Sequence, residues 1–395
     1  MASKGLSDSI FAKYSGQQPN YSDREKGFMQ RALALAKRAW GKTHPNPMVG
    51  AVIVERGQIV AEGWHSQAGE AHAEVCALKQ WSSTQAADAT LYVTLEPCCT
   101  QGNTPPCTEA ILRSGIQHLV VGALDPNPHH AGRGIDVLRK AGLDVKVGLL
   151  APECNDLNLI FNHWIVHQTP FFAGKAGLTL DGRIATRSGA SKWITGNDAR
   201  ADVMHWRRYF PGIAVGSGTV ISDNPSLTSR KDDKIWSPQR LVFDRHLQTI
   251  TPLPRVYTDS FSHHTIVVTS DCPTLSKDRK HLRDLGITVW EVADGQDPKE
   301  KWLEIRQRCS AAGLFGVLFE GGTRLFSELL AARQLDYFFA YQAPKFFADA
   351  EAYPLFQGQS TAHPDTAFSL HEVQHTILGS DVLTRGKVSY TDSGN

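Results

Sequence analysis

The chain has 395 residues, 41% of them hydrophobic, and sets 41 Lys and Arg against 40 Asp and Glu for a formal net charge of +1. That length suits two or three domains with ordinary globular cores. The charge balance speaks against nucleic acid or a membrane surface as partner, no apolar run reaches bilayer length, and the first 18 residues lack the apolar stretch of a secretion signal.

Residues 1–21 read as a flexible tail. Order is expected from Ser22, where Glu25 makes a capping-box pattern ahead of Phe28, Ala32, Leu35, Ala36 and Ala39 at helical spacing. Residues 48–54 predict an apolar strand, with 58–64 as its hairpin partner across Arg56-Gly57. A helix at 72–78, a strand at 90–95, a short helix at 107–113 ended by Gly115, a strand at 118–124, a helix at 135–140 and a strand at 143–147 follow. A single helix over 152–167 closes a first domain, 22–168. Gln168-Thr169-Pro170 marks the seam, since proline biases its neighbour to extended backbone. The second domain, 169–395, alternates again: a strand at 171–179, a helix at 197–209 capped by Asn197, a strand at 213–216 running into Gly216-Ser217-Gly218-Thr219, strands at 240–244, 265–269 and 286–292, and a buried strand at 314–319 before Glu320-Gly321-Gly322 and a helix. The polar stretch 229–238 reads as a surface loop. Both halves are expected to be α/β layers.

Three of the seven cysteines, Cys98, Cys99 and Cys107, crowd into ten residues. Without a secretion signal, such crowding points to metal binding or catalysis before disulfides, and to a cytoplasmic protein. His72-Ala73-Glu74 opens a predicted helix, Glu96-Pro97-Cys98 follows a predicted strand, and Cys107 opens the next helix. One imidazole and two thiolates suit zinc, and leave its fourth position for water, which the metal acidifies to hydroxide near neutral pH. Glu74, a near neighbour of His72, is better placed to shuttle a proton than to bind the metal. His-x-Glu followed by Pro-Cys is the arrangement of zinc deaminases. Cys99 is read as a small packed thiol. Cys76 and Cys154 fall on apolar helix faces and are read as packing residues, and Cys272 and Cys309 stand alone.

These motifs resemble a known family. His44-Pro45-Asn46-Pro47-Met48-Val49-Gly50, Gly69-Glu70-Ala71-His72-Ala73-Glu74, Leu95-Glu96-Pro97-Cys98, Thr104-Pro105-Pro106-Cys107 and Asp125-Pro126-Asn127-Pro128 are similar to the bifunctional bacterial enzyme of riboflavin biosynthesis, a diaminohydroxyphosphoribosylaminopyrimidine deaminase fused to a 5-amino-6-(5-phosphoribosylamino)uracil reductase. Eight residues separate Cys98 from Cys107, as in that family, where nucleic-acid and cytidine deaminases usually have two. The resemblance implies a cytidine-deaminase-like three-layer α/β/α domain. It implies His72, Cys98 and Cys107 as zinc ligands, Glu74 as proton donor, and Asn46 and His65 in the pyrimidine pocket. Thr100 and Asn103 stand where the family usually has a His and often a basic residue, so phosphate contacts of that loop differ here.

The second half resembles the family's reductase, of dihydrofolate-reductase-like α/β fold, through Lys175, Thr179-Leu180-Asp181-Gly182-Arg183, Ser191-Lys192-Trp193-Ile194-Thr195, Ser222 to Arg230 and Glu320-Gly321-Gly322. Glycines after a buried strand let backbone N–H groups approach an anion, and Lys175, Arg207 and Arg230 are candidate phosphate partners. The resemblance implies Lys175, Ser191, Arg207, Leu227, Arg230 and Glu320 for substrate. For NADPH it implies Gly177, Trp193, Thr219, Asp223 and the run Gly322, Thr323, Arg324, Leu325, Phe326, Ser327, Glu328. The implied reactions are hydrolytic loss of an exocyclic amine from a diaminopyrimidinone ribosyl phosphate by zinc hydroxide, then NADPH reduction of the ribosyl to a ribityl chain. The implied partner is that small molecule alone, with assembly into a homo-oligomer left open. Two other classes compete: a deaminase of nucleic-acid bases, disfavoured by the charge balance and the long zinc loop, and a zinc-stabilised binding protein, which would need a fourth ligand that only Cys99 could supply.

Overall fold

The structure, a computed structural model, describes residues 20–82, 86–101, 105–127, 130–231, 234–358, 361 and 363–390. Almost all of the expected tail, and the departure at Asn103, lie outside the described residues. The chain divides into two compact units between Gln168 and Thr169.

The first unit is built on a five-stranded sheet of order β2-β1-β3-β4-β5. Its strands are β1 (Gly50–Glu55), β2 (Gln58–Trp64), β3 (Thr90–Leu95), β4 (His118–Ala123) and β5 (Asp144–Val147). Strand β1 is antiparallel to β2 and β3, while β3, β4 and β5 run parallel. Arg56 and Gly57 both take positive φ, 47° and 73°, the backbone a two-residue hairpin needs. Helix α1 (Asp23–Ala36) starts at a formed capping box: the Ser22 N–H donates to Glu25 Oε2 at 2.8 Å, and the Glu25 N–H to Ser22 Oγ at 3.3 Å.

Two close approaches define the layers. A side chain at Gly50 would strike the α1 backbone, 2.0 Å from the Ala32 carbonyl oxygen. One at Gly63 would strike α2 (Ala73–Lys79), 2.2 Å from the Ala73 oxygen. Gly63 pairs with Ala51, Gly50's neighbour, so the two glycines face opposite sides of the sheet. Helices α1 and α2 therefore cover opposite faces, the α/β/α arrangement. Helices α3 (Cys107–Ser114) and α4 (Arg133–Lys140) complete the crossovers. Cys154 is 1% exposed, packed as expected; Cys76 is only half-buried.

The single helix expected over 152–167 is two, α5 (Ala151–Asp156) and α6 (Leu159–His167). The break has a long-range cause. Asn158 leaves helical backbone, and its carboxamide accepts from the Met48 N–H at 2.7 Å and donates to the Met48 carbonyl at 3.0 Å. A buried backbone pair just before β1 is satisfied by a side chain more than a hundred residues away.

The second unit contains a nine-stranded sheet of order β13-β12-β11-β8-β14-β6-β15-β18-β17. The strands are β6 (Phe171–Thr179), β8 (Gly212–Gly216), β11 (Gln239–Phe243), β12 (Thr265–Ser270), β13 (Thr288–Val292), β14 (Gly316–Phe319), β15 (Tyr337–Ala343), β17 (Ser369–Leu378) and β18 (Asp381–Ser389). All are parallel from β13 to β15; β18 and β17 add antiparallel. Short strands β7 (Arg183–Ala185) and β16 (Tyr353–Pro354) pair apart from it.

Neighbouring aromatics on β6 serve the two faces. Phe171 stacks on Phe210, beyond α7 (Asn197–Tyr209), at 6.1 Å. Phe172 meets Trp302 of α11 (Pro298–Ala311) at 6.4 Å, edge to face. Asn197 does not cap α7; Gly196 holds the cap position and Asn197 accepts from Arg200 within the first turn. The stretch 229–238, expected as a loop, carries a small hairpin, β9 (Ser229–Lys231) with β10 (Lys234–Trp236). Remaining helices are α8 (Ser217–Asp223), α9 (Arg255–Thr258), α10 (Ser276–Asp284) and α12 (Thr323–Ala331).

Replacing Asn158 with Leu strands a buried N–H and a buried carbonyl, a cost of about 2–4 kcal/mol. Scanning calorimetry of the whole chain should show the first unit's transition falling by roughly 5–15 °C, with the second unit's unmoved.

Candidate functional sites

The first site gathers where β3 ends and α2 and α3 begin. His72 is the N-cap of α2, Cys107 the first residue of α3, and Cys98 lies three residues past β3. His72 Nδ1 stands 3.1 Å from Cys107 Sγ and 3.5 Å from Cys98 Sγ, and the three ligand atoms all lie within 4.8 Å of one another. A tetrahedral zinc spaces imidazole nitrogen and thiolate by about 3.6 Å, so this donor set fits the ion. Cys99 lies outside the group.

The start of α3 helps make the thiolate. The Cys107 N–H donates to Cys98 Sγ at 3.3 Å, and the Thr108 N–H to the Cys98 carbonyl at 3.1 Å. The Cys107 thiol bonded to that sulfur does most to lower the Cys98 thiol below its ordinary range, with His72 and the Cys107 N–H adding to it. Cys107 is pushed up by that neighbouring thiolate and by burial. Glu74, on the first turn of α2, is 3% exposed and its carboxyl lies against Cys107. Burial raises it to about 7.

Asn46 and His65 adjoin. The His65 ring meets that of His72 edge-on at 5.5 Å. Its Nδ1 lies 3.2 Å from the Ala71 carbonyl, which can only accept, so the proton sits on Nδ1. Nε2 is then an acceptor, and Asn46 Nδ2 donates to it at 3.2 Å. Burial lowers the pKa of His65, which favours this neutral form. Thr100 is exposed.

One residue quoted only as part of a motif has a larger share than its sequence suggests. Glu96, first after β3 and 6% exposed, accepts four backbone N–H groups: Asp125 at 3.1 Å, Gly132 and Gly134 at 2.9 Å, and Ile135 at 3.4 Å. It fixes the entrance of α4 beside Pro97-Cys98. Four convergent donors require a carboxylate, and nothing in a lone Glu-Pro-Cys string reports them.

In the second unit, Lys175, Arg207 and Glu320 meet. Odd positions of β6 face α7, which brings Lys175 from the strand and Arg207 from the helix to Glu320, first after β14. Arg207 Nε and Nη2 donate to the two carboxylate oxygens at 2.6 and 2.8 Å, and Lys175 Nζ lies 3.0 Å from Oε2. Burial opposes ionisation of Glu320, but the Arg207 and Lys175 charges win and hold it well below the usual carboxylate range. The remaining Arg207 fork, Nη1, donates to the Thr228 carbonyl at 3.0 Å.

The other expected residues divide. The two glycine turns converge: a side chain on Gly322 would come within 4.0 Å of Thr219 Oγ1, and one on Gly216 within 4.0 Å of Leu325. Ser191 Oγ lies 3.4 Å from Asp223. Gly177 faces Thr195, and Trp193 is 68% exposed with positive φ, under the Arg200 guanidinium at 4.4 Å. Thr323, Leu325 and Phe326 are buried, and Arg324 is exposed. Ser327 Oγ accepts from the Gln357 N–H, while Glu328 is tied to Lys301 and Trp302 of α11. Leu227 is 2% exposed, and Arg230 projects from β9 with no ion pair among the described residues.

Fold and donor set together give the first unit the make-up of a zinc deaminase, and the chain continues into a second α/β unit built on a mostly parallel sheet. Comparison with known proteins agrees on both halves. Residues 22–123 match the cytidine and deoxycytidylate deaminase zinc-binding region, and residues 170–384 match the RibD C-terminal domain. Riboflavin biosynthesis protein RibD of Actinobacillus pleuropneumoniae is 39% identical over 90% of this chain and 93% of its own length. The protein of that name from Escherichia coli is 36% identical over 91% and 98%. Among solved structures, Acinetobacter baumannii RibD has a TM-score of 0.72 at 34% identity, covering 93% of this chain and 99% of that one. The Thermotoga maritima deaminase/reductase has 0.73 at 33%, covering 92% and 98%. The chain belongs to the RibD family, the bifunctional deaminase/reductases of riboflavin biosynthesis.

Two outcomes follow. Glu96→Gln leaves one carboxamide oxygen where two carboxylate oxygens served four donors, so zinc content after dialysis against a mild chelator should fall several-fold, about 10-fold by analogy with other outer-shell changes. Because the Glu320 carboxyl is depressed in the fold, its contribution to stability is full above the ordinary carboxylate value of about 4.3 and lost as pH falls below it. Melting of the second unit should therefore drop on acidification through that range, and drop less steeply in Glu320→Gln.

Proposed function

We propose that the first unit removes the exocyclic amine of a diaminopyrimidinone ribosyl phosphate by hydrolysis, and that the second reduces the ribosyl group of the product to ribityl. The observation that carries this reading is a buried acid, Glu74, beside an imidazole–dithiolate donor set. His72, Cys98 and Cys107 would hold a zinc ion, which when bound would make a water acidic enough to attack near neutral pH. Glu74, lifted toward neutrality by burial, exchanges a proton with that water and delivers one to the departing amine nitrogen. Asn46 and His65 line the pyrimidine pocket. Since Asn46 Nδ2 is committed to His65, its Oδ1 is the atom presented to an N–H of the ring.

In the second unit, Lys175, Ser191, Arg207, Leu227, Arg230 and Glu320 hold the substrate. Lys175 and Arg207 are both bonded to Glu320, whereas Arg230 is exposed with no ion pair among the described residues, so Arg230 is the cation for the phosphate. Gly177, Trp193, Thr219, Asp223 and the run from Gly322 to Glu328 would hold NADPH, whose chemistry is hydride donation, here to C1′ of the ring-opened imine. With Leu325 and Phe326 buried in the core and Glu328 held by α11, the run offers mainly backbone N–H groups. The Cys98 and Cys107 thiolates need a reducing compartment, which supports a cytoplasmic setting. No described helix is long and apolar enough to cross a membrane.

Mass spectrometry of the zinc-loaded chain with the diaminopyrimidinone ribosyl phosphate tests the reading. Amine-to-oxygen exchange is expected without cofactor, then a gain of two hydrogens on adding NADPH. Glu74→Gln should slow deamination by about 10²–10⁴-fold while zinc content and reduction of supplied deaminated substrate persist. Undiminished deamination in that variant would remove Glu74 from the mechanism.

A further inference from the structure

Arg240 is a fully buried arginine that no step above uses. It is the second residue of β11, 0% exposed, and all five of its N–H groups are engaged. Nε donates to Thr265 Oγ1 at 3.1 Å, and Nη2 to the Val256 carbonyl at 2.8 Å and Asp259 Oδ1 at 2.9 Å. Nη1 donates to Asp259 Oδ2 at 2.7 Å and to the Ser226 carbonyl at 3.1 Å. A buried guanidinium requires a counter-charge and further acceptors. Asp259 supplies the charge, and Thr265 and Val256 belong to the same wall. Ser226 is different, because it opens the segment that runs to Arg230.

Two carbonyls of that segment, those of Ser226 and Thr228, are gripped by guanidiniums from different elements. Arg240 of β11 holds the first and Arg207 of α7 the second. Leu227 lies between them, buried, with φ at +51°, the left-handed region that a branched residue rarely adopts. Such a backbone persists where its surroundings over-determine it. The grip is reinforced at both ends: Ser229 Oγ donates to the Met204 carbonyl at 2.8 Å, and the Arg255 N–H donates to Asn224 Oδ1 at 2.7 Å.

We propose that Arg240 is a positioning residue for the reductase substrate: its planar fork, anchored on Asp259, Thr265 and Val256, fixes the Ser226 carbonyl and so sets the place from which Arg230 meets the substrate phosphate. The inference rests on the assignment of Leu227 and Arg230 to substrate. Lysine offers a point charge with three donors and cannot serve all these acceptors in one plane, so Arg240→Lys keeps a cation beside Asp259 while releasing the loop.

The test measures reduction by the whole chain, with the deaminated substrate in phosphorylated and dephosphorylated forms. In Arg240→Lys, KM for the phosphorylated form should rise about 10-fold or more, since small displacements of a binding group are costly. The dephosphorylated form, NADPH affinity and deamination should each stay within about twofold of the parent. Amides 226–230 should exchange hydrogen faster. An unchanged KM, or losses of kcat, KM and NADPH affinity in step, would overturn the proposal in favour of a purely structural arginine. If Arg240→Lys does not fold, Thr265→Val removes one acceptor of the fork and should raise the same KM about threefold; no rise there overturns it too. Parent enzyme that reduces neither form would refute the substrate assignment instead. The clamp would still be judged by exchange at 226–230, which must quicken in the variant.

Discussion

A carboxylate buried at the end of a strand must find partners, and both sites of this chain are arranged by that demand. Glu96 is the first residue after β3 and Glu320 the first after β14. Each leaves a buried strand and has little water to turn to. Glu96 is answered by neutral donors, the amides leading into α4, which draws a loop and a helix start against the strand end that carries Cys98. Glu320 is answered by charge, from the neighbouring strand and from the helix across the sheet face. In each case desolvation is the cost and the recruited partners are the architecture.

The two answers suit different chemistries. Backbone amides are rigid and neutral, so they hold the Glu96 carboxylate without bringing a cation toward the thiolates. Two cations sharing one carboxylate leave a net positive group on an otherwise buried face, beside a loop whose Thr228 carbonyl is bonded to one of them. The anionic ligands proposed for that unit suit such a field. Arg230, the cation proposed for the phosphate, stands outside that group and has no ion pair among the described residues.

Much of this was legible in sequence. The His72, Cys98 and Cys107 cluster announces itself because imidazole and thiolate at helix starts and a strand end make a rare combination, and the hairpin at Arg56-Gly57 because its turn demands positive φ. Most strands of the parallel sheets were legible from their apolar runs. What escaped depends on distance along the chain. Asn158 breaks a helix to serve Met48, a bond invisible to local periodicity. Strand β17 has no buried face and so no alternation to read: Ile377 is 72% exposed and most of its neighbours are polar. The hairpin at 229–236 is too polar to look like strand. Nothing local to its predicted strand singles out Arg240, because its acceptors come from three separate segments. The cap at Gly196, in place of Asn197, shows that a side chain able to cap need not do so.

The order of the large sheet also bears on how the chain is made. Strand β6 opens the second unit, yet it sits between β14 and β15: Phe171 pairs with Gly316, and Ala173 with Tyr337. On a ribosome, the first unit has every one of its strands before β6 emerges. β6 then waits, with both edges open, until most of the remaining chain has been synthesised. Long-range parallel pairing of this kind is slow, and open edges invite association between nascent chains. The apolar run from Phe171 to Ala173 therefore stays without both of its strand partners until Tyr337 has been made.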